Sequence, residues 1–582
     1  MKSKMSFFDP TLLKKNVSRF APAWAILILA FFLSLPLPLI RLLSGWSDSA
    51  EALKNNVQRI LGEDVLPLGF VFAFFAGPLF AVLVFKYLHR TRDAYMMHAF
   101  PMTRSCQFVT NTVSGLLFWL VPTLFIGLCT LGILAVNGIG GCGGLVWVLL
   151  GKWLLAFLCF YGIAVLAMHI SGNTVIAVMS CGALNFMFLV VPLMILLLAR
   201  VYFRGFDFVI TEKILRLSPF VELMAVDHRE PFMLWVYGGV GLILLVLSWV
   251  LYRCRSVERA GDAMVFPWAR IAFRLLFTLC VSLGLGWILA AFFGMIADGG
   301  GVFLPYALIG CVLGWFGSSM MVERTVKVFK NKKVWLGLAA CAGVLILTVG
   351  CLKYDLLGFQ RRIPETAGVA SVEIWTAGGY DDLGTDKISL TEPEDIDVVR
   401  RFQSAALEQY EYSSGFRNLF SDSLWGELHI VYHLKDGGTL RRAYDVPEDQ
   451  YASLSALYTK PEIAAAWYEK ALPEDFRRVT LYGVIDYERD IDGTECYSGE
   501  EIPCRNPAAL KAAVLADAGA GRLPIMNFLT RGDYFDGKEM IQRDYYELYL
   551  SYELGDRNGW PDRILQICIA SGATETMKLF LP

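Results

Sequence analysis

Residues 65–87 read VLPLGFVFAFFAGPLFAVLVFKY, with no charged residue from Val65 to Phe85. About 20 consecutive apolar residues are what a helix needs to cross the hydrocarbon core of a bilayer. The run has no period-2 alternation, so it is not a barrel strand, and only a helix satisfies its own backbone in lipid. Eight further segments share this character: 22–43, 113–136, 145–168, 174–199, 232–252, 271–296, 302–322 and 334–352. The fold class that follows is a polytopic α-helical membrane protein of about nine transmembrane helices. Whole-chain composition agrees, because only 18% of the 582 residues are charged and 55% are hydrophobic. Soluble domains carry about 25% charged residues. A net charge of −2 gives no nucleic-acid signal.

The apolar character stops near residue 352. Residues 353–582 have soluble composition and read as a C-terminal α+β domain. Ahead of it the chain divides into an N-terminal segment 1–20, a six-helix block 21–255 and three additional helices within 256–352. The first apolar run lacks a small-residue cleavage site and reads as an uncleaved span. Orientation follows from cations in the connections. Lys2, Lys4, Lys14, Lys15 and Arg19 precede the first span, and Arg324, Lys327, Lys330, Lys332 and Lys333 precede the last. Residues 137–144 and 297–301 hold no Lys or Arg, while the long connection 200–231 holds cations and acids together. The expectation is a plasma-membrane protein with a cytoplasmic N-terminus and an extracellular 353–582.

Two segments on the cation-rich side invite function. Residues 6–20 predict an interfacial helix capped by Asp9, with Pro10 in its first turn and Phe8, Leu12, Val17 and Phe20 toward lipid. Residues 86–112 are basic, aromatic and Met-rich, with a short helix stopped before Pro101. Its apolar knobs, Tyr95, Met96, Met97 and Phe100, suit insertion into a partner's groove. The pattern Arg92-Asp93-Ala94-Tyr95 through Phe100-Pro101-Met102-Thr103-Arg104, between spans two and three, resembles the first cytoplasmic loop of bacterial ABC-2-type transporter permeases. Phe100 stands where a Leu is usual. The resemblance covers roughly residues 1–255; the three further spans and the tail depart from a minimal six-span permease.

That resemblance implies the membrane subunit of an ATP-driven exporter, with an ABC ATPase subunit docked on Arg90, Arg92, Asp93, Tyr95, Met96, Phe100, Pro101 and Arg104. It implies a second permease subunit, the same or homologous, and short helices in 209–224. The chain contains no phosphate-binding Gly-x-x-x-x-Gly-Lys-Ser/Thr; Gly151-Lys152-Trp153 lacks the hydroxyl and the first Gly. ATP hydrolysis is therefore expected on the partner, with no catalytic residue, cofactor or metal here. Lys152, His169, Asn173 and Asn185 read as packing residues, and no His-Glu-x-x-His motif or mid-span acidic pair occurs.

The tail predicts two copies of a strand–helix–hairpin module, 369–470 and 478–582. The first helix follows Thr391-Glu392-Pro393-Glu394, a capping box, with Ile396, Val399, Phe402 and Ala406 inward. Its hairpin turns at Asp436-Gly437-Gly438. Cys496 and Cys504 flank an acidic loop and are candidates for a disulfide in an oxidising space, with the pairing left open by sequence. A membrane sensor with an extracellular ligand-binding domain, or an envelope scaffold, are the alternatives to transport.

Overall fold

A computed structural model describes residues 7–45, 50–203, 205–207, 212–225, 232–294, 303–356, 358–377, 387–409, 427–446, 451–472, 479–483, 500–502, 507–523, 525, 546–552 and 563–569. Among these residues nine helices are long and apolar enough to cross a membrane, from Ala21–Ser44 to Lys332–Lys353. The chain divides into two compact units, one made of 1–196, 209–290 and 303–347, the other of 197–208, 291–302 and 348–582.

In the first unit, α1 (Pro10–Arg19) is capped as expected: the Asp9 carboxylate accepts from the backbone N–H groups of Thr11 (2.8 Å) and Leu12 (3.3 Å). Next come α2 (Ala21–Ser34) and α3 (Pro36–Gly45), broken at Leu35 because Pro36 disfavours helical backbone before it. The amphipathic α4 (Ala50–Arg59), which apolar-run counting overlooks, leads through one π turn into α5 (Leu66–Phe85). Then follow α6 (Thr91–His98), α7 (Arg104–Val136), α8 (Gly143–Ile170) and α9 (Thr174–Tyr202). The short α10 (Glu212–Leu215) and α11 (Pro219–Ala225) fall in the region expected to hold short helices, and α12 (Phe232–Cys254) closes the block. They pack back on the bundle: Phe220 meets Phe74 with ring centroids 4.4 Å apart.

The core of this block is centred on α8, which packs against both α5 and α12. Trp119 stacks on Phe157 (centroids 4.6 Å, 5° between planes) and Phe157 on Tyr161 (5.4 Å, 13°), all fully buried. Lipid tails are as apolar as these side chains, so association rests on close packing and small residues. A Cβ at Gly69 would lie 1.9 Å from the Trp153 indole, and one at Gly241 2.2 Å from the Leu158 carbonyl oxygen. Similarly, α13 (Pro267–Gly294) meets α14 (Phe303–Glu323) at Gly286, Gly310 and Gly314, and Trp315 of α14 lies over Gly337 of α15 (Lys332–Lys353).

α1 is not simply a lipid-facing anchor. Asn16 donates to Asn111 (2.9 Å) and Ser114 (3.1 Å) of α7, and Val17 and Phe20 pack on the main core. Lys14, Lys15 and Arg19 stay exposed.

The second unit contains two four-stranded antiparallel sheets. The first is built from β1 (Val369–Ala377), β2 (Ile388–Leu390), β3 (Glu427–Leu434) and β4 (Thr439–Asp445), in the order β2-β1-β3-β4. The helix α16 (Pro393–Gln409) lies between β2 and β3 in the chain. It starts at Pro393, so Glu392 rather than Thr391 occupies the cap, and the Glu392 carbonyl accepts from Ile396 (3.0 Å). Ile396, Val399, Phe402 and Ala406 are buried as the periodicity predicts. The hairpin turns at Gly437 (φ +85°), with Asp436 accepting from the Gly438 N–H (2.8 Å).

After α17 (Tyr451–Tyr458) and α18 (Pro461–Ala471), the second sheet has β5 (Val479–Gly483), β6 (Glu500–Ile502), β7 (Tyr546–Tyr552) and β8 (Arg563–Ile569), ordered β6-β5-β7-β8. Its helix, α19 (Pro507–Gly519), buries Leu510, Val514 and Ala518 in the same core as the first sheet. The short strands β2 and β6 were not foreseen. Cys496 and Cys504 lie outside the described residues.

One part of this unit comes from far away in sequence. Gly205 (φ +72°) accepts from the Ala443 N–H at 3.3 Å, and a Cβ there would lie 2.3 Å from the Tyr444 ring. Asp207 lies 3.0 Å from His429 of β3. Segment 205–207 is thus part of the α+β unit, whereas the sequence reading assigned all of 200–231 to one connecting loop.

On β1, burial acts to raise the Glu373 pKa, but Lys387 (2.6 Å) and His433 (3.3 Å) beside it outweigh that and hold the carboxyl below its ordinary 4.5. A depressed carboxyl contributes stability above its unfolded value, and that contribution is lost as pH falls through the folded one. Because the pair is partly exposed, Glu373→Gln should destabilise the full chain by less than about 1 kcal/mol near pH 7. In unfolding titrations the difference from wild type should vanish in acid well below 4.5. A difference unchanged by pH would refute the assignment.

Candidate partner-docking surface

Between α5 and α7 the chain makes one 3-10 turn, Lys86–His89, and then α6. The turn is held from inside. His89 donates from Nε2 to the Met168 carbonyl (3.0 Å) and accepts at Nδ1 from Thr174 (3.0 Å). Arg90 is extended and caps α6, Asp93 in the first turn favours the helix dipole, and Ala94 is the buried contact residue of α6.

Its outer side carries the predicted knobs. Tyr95 and Met96 on α6 and Phe100 just beyond it are 53%, 56% and 46% exposed. Arg90, Arg92 and Pro101 are exposed beside them, and Asp93 and Met97 are half-buried. Arg104 is placed differently. Its Nη1 donates to the carbonyls of Arg253 (3.1 Å) and Arg255 (2.8 Å), so it caps the end of α12 instead of extending the outer ridge. The loop is also shorter than expected, because α7 begins at Arg104 with Thr103 accepting from the Cys106 N–H (3.1 Å).

Beneath α6 runs a directional chain of hydrogen bonds. Asn16 of α1 donates to Asn111, and Asn111 to the Tyr87 oxygen (3.5 Å). Tyr87 and Tyr252 hydroxyls are 3.3 Å apart, and Tyr252 donates to Gln107 Oε1 (2.9 Å). Gln107 donates to the Met97 carbonyl of α6 (2.6 Å). Tyr252 gives its single proton to Gln107, so Tyr87 must be the donor between the two phenols. The chain joins α1, α7, α12 and α6. His98 sits at its edge, donating from Nδ1 to the Ala94 carbonyl (2.9 Å). Burial, with Arg104 nearby, pulls its pKa below the usual imidazole value.

Arg255 anchors the base. Its guanidinium, 4% exposed, donates through Nη1 to the carbonyls of Met168 (3.1 Å), His169 (2.9 Å) and Ser171 (2.9 Å), and through Nη2 to that of Leu88 (2.9 Å). These include orphan carbonyls at the C-terminus of α8, where a cation is favoured. Burial lowers its pKa to about 10, which leaves it charged at neutral pH. A cavity of about 10 Å³, the size of one water, lies among Leu88, Ala94, His98, Tyr252, Arg255 and Val257.

Comparison with family models, curated proteins and solved structures finds no match for this chain. Sequence reading placed the exposed ridge but missed Tyr87, Gln107, Asn111, Tyr252 and Arg255. The only signal was that Gln107 and Asn111 are polar beside an apolar run; their partners are up to 145 residues away.

Proposed function

We propose that this chain is the permease subunit of an ATP-driven ABC-type transporter, working as an exporter, and that α6 is where a separate ATPase subunit docks. The observation that carries the reading is the exposed ridge of Tyr95 and Met96 on α6 and Phe100 just past its end, on a segment tied from beneath by the hydrogen-bond chain. A connecting loop alone has no need of either feature. Force applied to such a ridge reaches α1, α7 and α12 through Asn16, Gln107 and Tyr252, which is what coupling ATP hydrolysis to helix movement requires. Arg90 and Arg92 add positive charge for an acidic groove rim. In this reading the N-terminus and α6 face the cytoplasm of a cell with its α+β unit outside, and a second permease subunit, the same or homologous, completes the path. The matching strand order of the two sheets supports a duplicated module in that outer unit.

Co-purification from native membranes tests the proposal. The wild-type chain should bring down an ATPase, while Tyr95→Ala with Phe100→Ala should weaken that association at least about tenfold, the effect of losing an aromatic anchor. Both side chains are exposed, so each change should leave stability within about 0.5 kcal/mol. If no ATPase accompanies the wild type, the transporter reading fails and a sensor or scaffold role takes its place.

A further inference from the structure

The arginines on the α6 side of the first unit are largely engaged. Arg104 and Arg255 bond backbone carbonyls, Arg253 lies over the Trp249 ring (5.3 Å), Arg259 bonds the Val265 carbonyl, and Arg270 pairs with Asp262 (3.1 Å). The connection between α14 and α15 differs. It contains Arg324, Lys327 and Lys330, Lys332 and Lys333 open α15 directly after it, and residues 324–352 include no Asp or Glu. The carboxylates nearest in sequence are taken: Glu323 pairs with Arg274 (3.0 Å), and Asp262 is shared by Arg270 and Arg324 (3.8 Å). Among the described residues, no carboxylate lies within ion-pair distance of the four lysines. By contrast, the 86–104 connection contains Asp93, and 253–270 contains Glu258 and Asp262.

This connection is also shaped. Lys327–Lys330 form a 3-10 turn pinned by buried Val328, with Trp335 Nε1 donating to the Phe329 carbonyl (2.8 Å) and the Asn331 side chain accepting from the Lys333 N–H (3.1 Å). Val326, Phe329, Trp335 and Leu336 are 72%, 49%, 50% and 74% exposed, interleaved with the lysines. Unpaired cations among exposed aromatic and aliphatic side chains at the mouth of a spanning helix match the boundary between acyl chains and headgroups.

From this charge imbalance and its interleaved apolar residues we infer that the turn 327–333 binds the surface of an anionic phospholipid leaflet, with the lysines on headgroup phosphates and Phe329 and Trp335 at the acyl boundary. The occupant is a lipid surface and not an acidic protein, because the exposed apolar residues flank a helix that itself enters the membrane.

The test uses the full chain reconstituted in vesicles of equal phosphatidylcholine and phosphatidylglycerol, re-extracted in mild detergent, with retained lipid quantified by mass spectrometry. Juxtamembrane lysines each contribute roughly a fivefold preference at low salt. Wild type should therefore retain phosphatidylglycerol at least about fivefold over phosphatidylcholine. The variant K327Q/K330Q/K332Q/K333Q should lose that preference, and the four-arginine variant should keep it. Lack of preference in the wild type, or an equal preference in the four-glutamine variant, overturns the inference. So does a loss of the same size in K14Q/K15Q on α1.

Discussion

Arg255→Ala is expected to destabilise the full chain by roughly 3–5 kcal/mol, the largest effect of any single polar substitution considered. The buried guanidinium donates to four carbonyls, three at the end of α8 and one in the 3-10 turn before α6. An unsatisfied buried acceptor costs about 1–3 kcal/mol, although the Met168 carbonyl also has His89 as a donor. Arg255→Lys keeps the charge but concentrates it at one point, so it should recover only part of the loss. Thermal unfolding in detergent, read by retention of a monodisperse species on a sizing column, checks this. An Ala variant that unfolds with the wild type would show that the guanidinium contacts carry no net stability. The same variant should also weaken ATPase association if α6 docks a partner, because the Leu88 carbonyl lies in the turn that positions α6.

Gly241→Leu should be nearly as damaging, about 3 kcal/mol or more, whereas Gly239→Leu two residues away should change little. A Cβ on Gly241 meets the Leu158 carbonyl oxygen at 2.2 Å and its carbon at 2.5 Å, both backbone atoms that no rotamer change can move. The facing Gly162 is equally tight, with the Gly241 carbonyl oxygen 2.5 Å from its would-be Cβ. Relief therefore requires α8 and α12 to separate, which empties the packed interface where Leu155 and Leu158 face Gly238 and Gly241 and exceeds the usual 1–3 kcal/mol of overpacking. At Gly239 nothing lies within 4 Å. Comparing the two variants for folded yield and unfolding temperature separates a steric effect from a general intolerance of larger side chains. Equal behaviour of the pair would contradict the close crossing.

Much of the architecture was legible because its causes are local. A bilayer sets a minimum length for an apolar helix, so each run such as 145–168 declares itself without knowledge of its neighbours. The Asp9-Pro10 start of α1, the Gly437 turn and the inward stripe Ile396–Val399–Phe402 depend on residues a few positions apart, and all three are found. The exposed knobs of α6 were legible for the same reason: Pro101 stops the helix and its aromatic residues stand out against the basic ones.

What only the tertiary structure decided depends on partners distant in the chain. Arg104 reads locally as one more basic residue of a docking loop, yet its bonds go to carbonyls about 150 residues away at the end of α12. Gly205 and Asp207 read as loop residues, yet they attach to β4 and β3 more than 220 residues later. α19 looked like the helix of a separate copy, yet Leu510 and Val514 complete the core of the first sheet. The sequence by itself determined which segments are apolar enough to cross a membrane and where the capped helices and the longer strands form, though not α4 or the short strands β2 and β6. The fold alone decided which polar groups meet, because an orphan carbonyl or a buried phenol takes whichever donor the packing of helices brings within about 3 Å.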